Sequence, residues 1–272
     1  ALILIMIGMG MTLTTEDFKR VIRNPLATFL GLANQLLLLP LVAFGLCVAF
    51  GLHGELAVGL LLIAACPGGA TSNLISHLSK GDTALSVSLT ALSSLLTTLT
   101  IPLYLGLAIG HFMDTDSSVS LPFLKTVIQL MIISVIPIIV GMALHAKCPK
   151  LTRKLEKPVN IFAILFLALI VVAAILQEDN LTLQFRTAGP AALSLNLLTM
   201  AIGFGLASLI GLGLRQRITL SIESGIQNGT LALAIALGLL ESASIAMPAV
   251  VYSLMMFVTG GGMILIFGRR SS

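Results

Sequence analysis

Charge is what this sequence has least of. Among 272 residues only 15 are Lys or Arg and 11 are Asp or Glu, 10% of the chain, against roughly 25% in a typical soluble domain. So few charges cannot clothe the surface of a water-soluble fold of this length. Soluble enzymes, nucleic-acid readers and disordered tails are thereby excluded. Cysteine is scarce and odd in number, at three. Cys47 and Cys66 lie within apolar runs, so no disulfide framework is implied. The sequence has no His-Glu-x-x-His run for an intramembrane metalloprotease, and no Asp pair inside an apolar run for an aspartyl protease. What is abundant is apolar: 57% of residues are hydrophobic and the mean hydropathy is +1.08. The chain reads as a polytopic integral membrane protein. Its pI near 9.2 then reports where the bases sit relative to a bilayer.

A helix crosses the hydrocarbon core in about 20 apolar residues. Apolar runs between charged or turn-rich breaks give nine candidate spans: 1–13, 25–50, 55–79, 82–112, 121–146, 158–176, 187–214, 218–240 and 243–267. The first begins at Ala1 without a basic region or a small-residue cleavage site. It is read as a span lacking its N-terminal part, not as a signal peptide. Alternate connections carry Lys19, Arg20 and Arg23; Lys80; Lys147, Lys150, Arg153, Lys154 and Lys157; Arg215 and Arg217; and Arg269 and Arg270. The opposite set carries only Lys125 and Arg186. The positive-inside rule makes the first set and the C-terminus cytoplasmic. The run Lys147–Lys157 is expected to be a connection facing lipid headgroups.

Two spans are interrupted by small and polar residues. One holds Cys66-Pro67-Gly68-Gly69-Ala70-Thr71-Ser72-Asn73, the other Glu223-Ser224-Gly225-Ile226-Gln227-Asn228-Gly229-Thr230. They are five spans apart, an odd number, and so cross in opposite senses. Broken helices in corresponding positions point to an inverted-repeat transporter with its site at the breaks. A five-span unit leaves the first repeat without its opening helix, so a tenth helix is expected before Ala1. A weaker echo pairs Glu16-Asp17, Arg23-Asn24-Pro25 and Gln35 with Glu178-Asp179, Arg186, Pro190 and Asn196.

Glu223 is the one acid inside a span. A carboxylate in hydrocarbon costs on the order of several kcal/mol unless paired, hydrated or bound to a cation, and no intramembrane base is placed to pair with it. It reads as a cation ligand or proton carrier; a protonated or a boundary Glu is the plainer alternative. Gly225 loosens the helix, so the carbonyls of Ser224 and Ile226 can face a site. Ser72 and Asn73 follow the other break. Ser86 and Thr90 share a helix face, which suits either a ligand pair or hydroxyls bonded to their own helix. Gln35 suits either a ligand or an interhelical hydrogen bond. Carboxylate, amide, hydroxyl and carbonyl oxygens together suit a hard cation such as sodium. New half-helices expected near Ser72 and Asn228 would turn positive ends toward an anionic group, with Asn228 and Asn73 as donors. His53, His77, His111 and His145 fall near span ends and read as interfacial. Met255, Met256 and Gly260-Gly261-Gly262 suit close helix packing.

The segments Ala65–Asn73, Gly81-Asp82-Thr83-Ala84-Leu85-Ser86 and Glu223–Asn228 resemble the bile acid:sodium symporter family, in a bacterial member. The resemblance runs over the whole chain from the second family helix onward. It implies an all-α membrane protein, a polytopic helical bundle with inverted repeats, two crossing broken helices, and a core domain beside a panel domain. Residues 1–24 and 121–176 would belong to the panel. Residues 25–112, with the broken helix 55–79, and 187–267, with the broken helix 218–240, would form the core. One sodium site would use Ser72, Asn73, Ser86, Thr90 and Glu223. The second would use Gln35, Glu223, Gln227 and the carbonyls of Ser224 and Ile226. Asn228, with Asn73, would face substrate.

The expected function is sodium-coupled symport of organic anions, bile acids or related small carboxylates and sulfonates, by alternating access. No enzyme activity and no cofactor beyond sodium as coupling ion are expected. The partners would be sodium, a small organic anion and the lipid bilayer, without nucleic acid. The protein would be a monomer in a bacterial inner membrane. A cation/proton antiporter, expected to carry a second intramembrane acid, and a sodium-independent organic anion exporter are the rivals.

Overall fold

The computed structural model describes residues 2–23, 25–113, 122–176 and 181–268, and all regular structure among them is helical. Asn24, Glu178, Asp179, Arg269 and Arg270 of the sequence argument lie outside the described residues. In chain order the helices are α1 (Leu2–Met11), α2 (Thr15–Arg23), α3 (Pro25–Ala49), α4 (Gly54–Ala65), α5 (Ala70–Leu78) and α6 (Thr83–Phe112). They continue with α7 (Phe123–Lys147), α8 (Pro149–Leu176), α9 (Leu181–Leu209), α10 (Leu214–Gly225) and α11 (Gly229–Gly238), ending with α12 (Ala243–Gly268). Among the described residues six helices are long and apolar enough to cross a membrane: α3, α6, α7, α8, α9 and α12. The two interrupted spans are the pairs α4/α5 and α10/α11.

Three stretches differ from the sequence reading. The basic run Lys147–Lys157, expected as a connection, is almost wholly helical: α7 continues to Lys147 and α8 starts at Pro149. Pro fits the first helical position, where its missing N–H has no intrahelical partner. Lys150, Arg153, Lys154 and Lys157 then recur at helical spacing and are all exposed. The segment Thr15–Arg23, expected as a connection, is the short amphipathic helix α2, capped by Asp17, whose side chain accepts the Thr14 N–H at 2.8 Å. Finally, α9 begins at Leu181 and ends at Leu209, not 187 and 214, which puts Arg215 and Arg217 in the first turn of α10.

Apolar burial and close backbone approach hold the bundle together. In α4 every residue from Ala57 to Ala65 is buried, and a Cβ on Gly59 would lie 2.2 Å from the Ile245 carbonyl of α12. A Cβ on Gly10 of α1 would fall 2.1 Å from the Ile138 oxygen, and one on Gly141 of α7 would fall 2.1 Å from the Ile7 oxygen. Such glycine contacts let helices touch where lipid offers no hydrophobic drive to association. α1 packs mainly on α7 and α8, whereas α4 and α9 pack on α12, and α10 packs on α9.

Proline leaves its mark on α3. Pro40 has no N–H for the Leu36 carbonyl four residues back, the helix widens to a π-turn over Asn34–Leu38, and the Tyr104 hydroxyl of α6 donates to Leu36 at 2.6 Å. That turn carries Asn34 and Gln35, both buried.

Candidate cation-binding site

The two breaks lie against each other. Pro67 stops α4 because it lacks an N–H and forces extended backbone on the residue before it; Cys66 has φ −70° and ψ 148°. The second break has no proline. There Ile226 leaves the helix at φ −108° and ψ 96°, and the Asn228 side chain accepts the Leu231 N–H at 3.0 Å, capping α11. Gly68 and Gln227 form an antiparallel β-bridge, and the Asn228 N–H donates to the Pro67 carbonyl at 2.8 Å. The new half-helices start at Ala70 and Gly229, two residues before Ser72 and one after Asn228.

Glu223 sits in the last turn of α10, 5% exposed, beside this crossing. The Ser72 and Ser86 hydroxyls donate to its Oε1 at 2.7 and 2.5 Å, and Thr90 donates to its Oε2 at 3.0 Å. The same hydroxyls have other acceptors in reach. Ser72 lies 2.8 Å from the Gly69 carbonyl; Ser86 and Thr90 lie 2.8 and 3.2 Å from Asn73 Oδ1. Three hydroxyl protons therefore face four acceptor oxygens: both of Glu223, Asn73 Oδ1 and the Gly69 carbonyl. Among the described residues no base pairs with Glu223. A buried, proton-poor shell of oxygens around a carboxylate is what a hard cation requires. Among the described residues no cluster of His, Cys, Asp and Glu offers a rival metal site.

Gly68 makes this shell possible, since a Cβ there would lie 2.7 Å from Glu223 Oε2 and 3.2 Å from Ser72 Oγ. The cluster thus draws together Ser72 and Asn73 from α5, Ser86 and Thr90 from α6, and Glu223 from α10.

A second polar group adjoins it. Gln35 Nε2 donates to the Cys66 carbonyl at 2.7 Å and to Gln227 Oε1 at 3.0 Å. Gln227 Nε2 reaches back to Gln35 Oε1 at 3.3 Å and to the Ser224 carbonyl at 3.1 Å. Gln35, Ser93 and Glu223, with Gly31, Leu32 and Leu89, enclose a cavity of about 10 Å³. That is the scale of a single water or bare ion.

A second cavity, of about 80 Å³, borders the crossing. Gly69, Thr71, Gln227, Asn228 and Thr230 form its polar wall, and Met6, Met9, Leu167 and Met256 are among its apolar lining. Asn228 is part of this wall. Asn73 is not; its side-chain oxygen is turned to Ser86 and Thr90.

Four residues had no role in the sequence reading of the site. Asn34 Nδ2 donates to the Ser224 hydroxyl, and Ser93 lines the small cavity. Asn196 Nδ2 and the Tyr252 hydroxyl both donate to the Gly225 carbonyl, at 2.7 and 3.0 Å. In the sequence Asn196 stands out only as the counterpart of Gln35 in the repeat echo, without a role at the site, and Tyr252 carries no signal.

A family model described as the sodium bile acid symporter family matches residues 1–185. The chain is 30% identical, over 98% of its length, to a probable sodium/metabolite cotransporter, BASS2, chloroplastic, of Oryza sativa subsp. japonica, of which it covers 62%. It is 33% identical over 92% of its length to an uncharacterized sodium-dependent transporter, YocS, of Bacillus subtilis (strain 168), covering 76% of that protein. It is also 34% identical over 86% of its length to sodium/bile acid cotransporter 4 of Homo sapiens, covering 54%. The chain thus spans between about half and three quarters of the length of these relatives.

Proposed function

The chain belongs to the sodium bile acid symporter family, and we propose that it is a sodium-coupled symporter of small organic anions working by alternating access. The family is one of transporters, not enzymes, and with six helices among the described residues able to cross a membrane the protein is a multi-pass integral membrane protein. The observation that carries the proposal is the buried Glu223 carboxylate, held by three hydroxyls with fewer protons than nearby acceptors.

In this reading one sodium ion is bound by Ser72, Asn73, Ser86, Thr90 and Glu223. A second is bound by Gln35, Gln227, Glu223 and the carbonyls of Ser224 and Ile226. Sodium neutralises Glu223 and turns hydroxyl protons outward to their other acceptors, which stiffens the crossing. An anionic substrate group then lies by Asn228, where the N-termini of α5 and α11 supply partial positive charge. Residues 25–112 and 187–267 act as a core that rocks against a panel of residues 1–24 and 121–176. The inverted repeat has support in matching local details. Each break has a carbonyl held by an amide from the span immediately before it, Gln35 on Cys66 and Asn196 on Gly225. Each second half-helix is followed by a left-handed residue, Lys80 at φ 56° and Glu241 at φ 51°. Capping side chains of Asp82 and Ser242 come next.

The bases favour a cytoplasmic C-terminus, and the assembly proposed is a monomer in a bacterial inner membrane. Among the described residues the buried acids are Glu223 and Asp17. Asp17 bonds Thr14 at the start of α2, so the crossing itself holds one acid, which favours symport over the two-acid arrangement expected of a cation/proton antiporter. The test is uptake of a panel of radiolabelled carboxylates and sulfonates into proteoliposomes under an inward sodium gradient. At least one anion should accumulate with sodium and not with potassium; accumulation indifferent to sodium would select the exporter reading.

A further inference from the structure

The two breaks are anchored differently. The first leans on the site itself: its Cys66 carbonyl is held by Gln35, and its Pro67 carbonyl by the Asn228 N–H. The second is tied to helices outside the oxygen shell. The Gly225 carbonyl, freed where α10 ends, accepts from Asn196 of α9 and from Tyr252 of α12, both fully buried at 0% exposure. Gly225 stands midway between Glu223 and Gln227, so this one peptide fixes how both side chains are aimed. Met200 closes the remaining side, with its Cγ 2.1 Å from where a Cβ on Gly225 would be.

We propose that Asn196 and Tyr252 are positioning residues for sodium coupling, a two-donor clamp on the Gly225 carbonyl that holds the Glu223 carboxylate in register with Ser72, Ser86 and Thr90. The assignment rests on the sodium-coupled reading above. Gly225 is not itself a proposed ligand but stands among the proposed ligands Glu223, Ser224, Ile226 and Gln227. Donors that hold metal ligands in orientation are worth about 10- to 100-fold in affinity when lost. Neither side chain touches the oxygen shell, so their loss acts through the peptide they hold.

The test uses sodium alone as the probe. Purified full-length protein is titrated with NaCl at constant ionic strength in choline chloride, following the thermal unfolding midpoint. Tyr252→Phe removes one hydroxyl and keeps the ring, so the fold is retained. Its half-saturating sodium concentration should rise about tenfold, with little change in the sodium-free midpoint. Asn196→Ala, with Tyr252 still in place, should shift it in the same direction. Half-saturation within twofold of the native value in both variants would overturn the clamp while leaving the proposed function standing. A lowered sodium-free midpoint with unchanged half-saturation would mark a purely structural role and also overturn it. If the native protein shows no sodium response at all, the parent reading falls and the clamp falls with it.

Discussion

Ser86 Oγ lies 2.5 Å from Glu223 Oε1, joining residues 137 positions apart in the chain. The contact is short because it pairs a hydroxyl with a carboxylate away from water. It also shows what the crossing of the two breaks achieves: three hydroxyls from two helices converge on the single acid of a third.

Each of those hydroxyls should matter to sodium separately. In the sodium-bound state each hydroxyl is an oxygen ligand with its proton turned away from Glu223. A contact to a charged group contributes about 1.5–3 kcal/mol, and about 1.4 kcal/mol is a factor of ten in affinity. Ser72→Ala and Ser86→Ala are each expected to raise half-saturating sodium about tenfold or more, read by thermal shift against NaCl. Ser88→Ala is the control, since that hydroxyl bonds the Asp17 and Ala84 carbonyls away from the site; its sodium response should be native.

The two glycines of the first break should behave oppositely. A methyl at Gly68 would enter the carboxylate shell, 2.7 Å from Glu223 Oε2, whereas one at Gly69 meets nothing nearer than 3.7 Å. Gly68→Ala should abolish the sodium response. Gly69→Ala, in extended backbone at φ −126°, should keep half-saturation within about twofold, since ordinary van der Waals contact displaces nothing.

These contrasts mark how far the sequence could be read. Glu223, Ser72, Asn73, Ser86 and Thr90 were visible because polar residues inside apolar runs demand an explanation in lipid. The break at Pro67 was visible through backbone chemistry. The clamp was not: Tyr252 in an apolar run reads as core, and only the three-dimensional course of α12 brings its hydroxyl to Gly225. The π-turn at Asn34–Leu38 was hidden likewise, because Pro40 signals a lost hydrogen bond without saying that Tyr104 replaces it. Charge count alone makes Lys147–Lys157 a connection, whereas its spacing of three and four residues fits the exposed helix face found at the start of α8.

Close packing away from the site should govern stability without touching sodium. Gly141→Leu drives a side chain into the Ile7 carbonyl of α1, where even a Cβ would come within 2.1 Å. Overpacking costs about 1–3 kcal/mol or more, so the thermal midpoint should fall by several degrees. The displacement of that midpoint by saturating sodium should persist. Its loss would mean that the contact between α1 and α7 shapes the cation site.

The central claim is that the Glu223 shell binds sodium, and equilibrium binding of radioactive sodium to purified protein tests it most directly. The native protein should bind sodium saturably, displaced by unlabelled sodium and not by potassium, and Glu223→Gln should bind none while unfolding at a similar temperature. Saturable binding of equal affinity in Glu223→Gln, or none in the native protein, would contradict it.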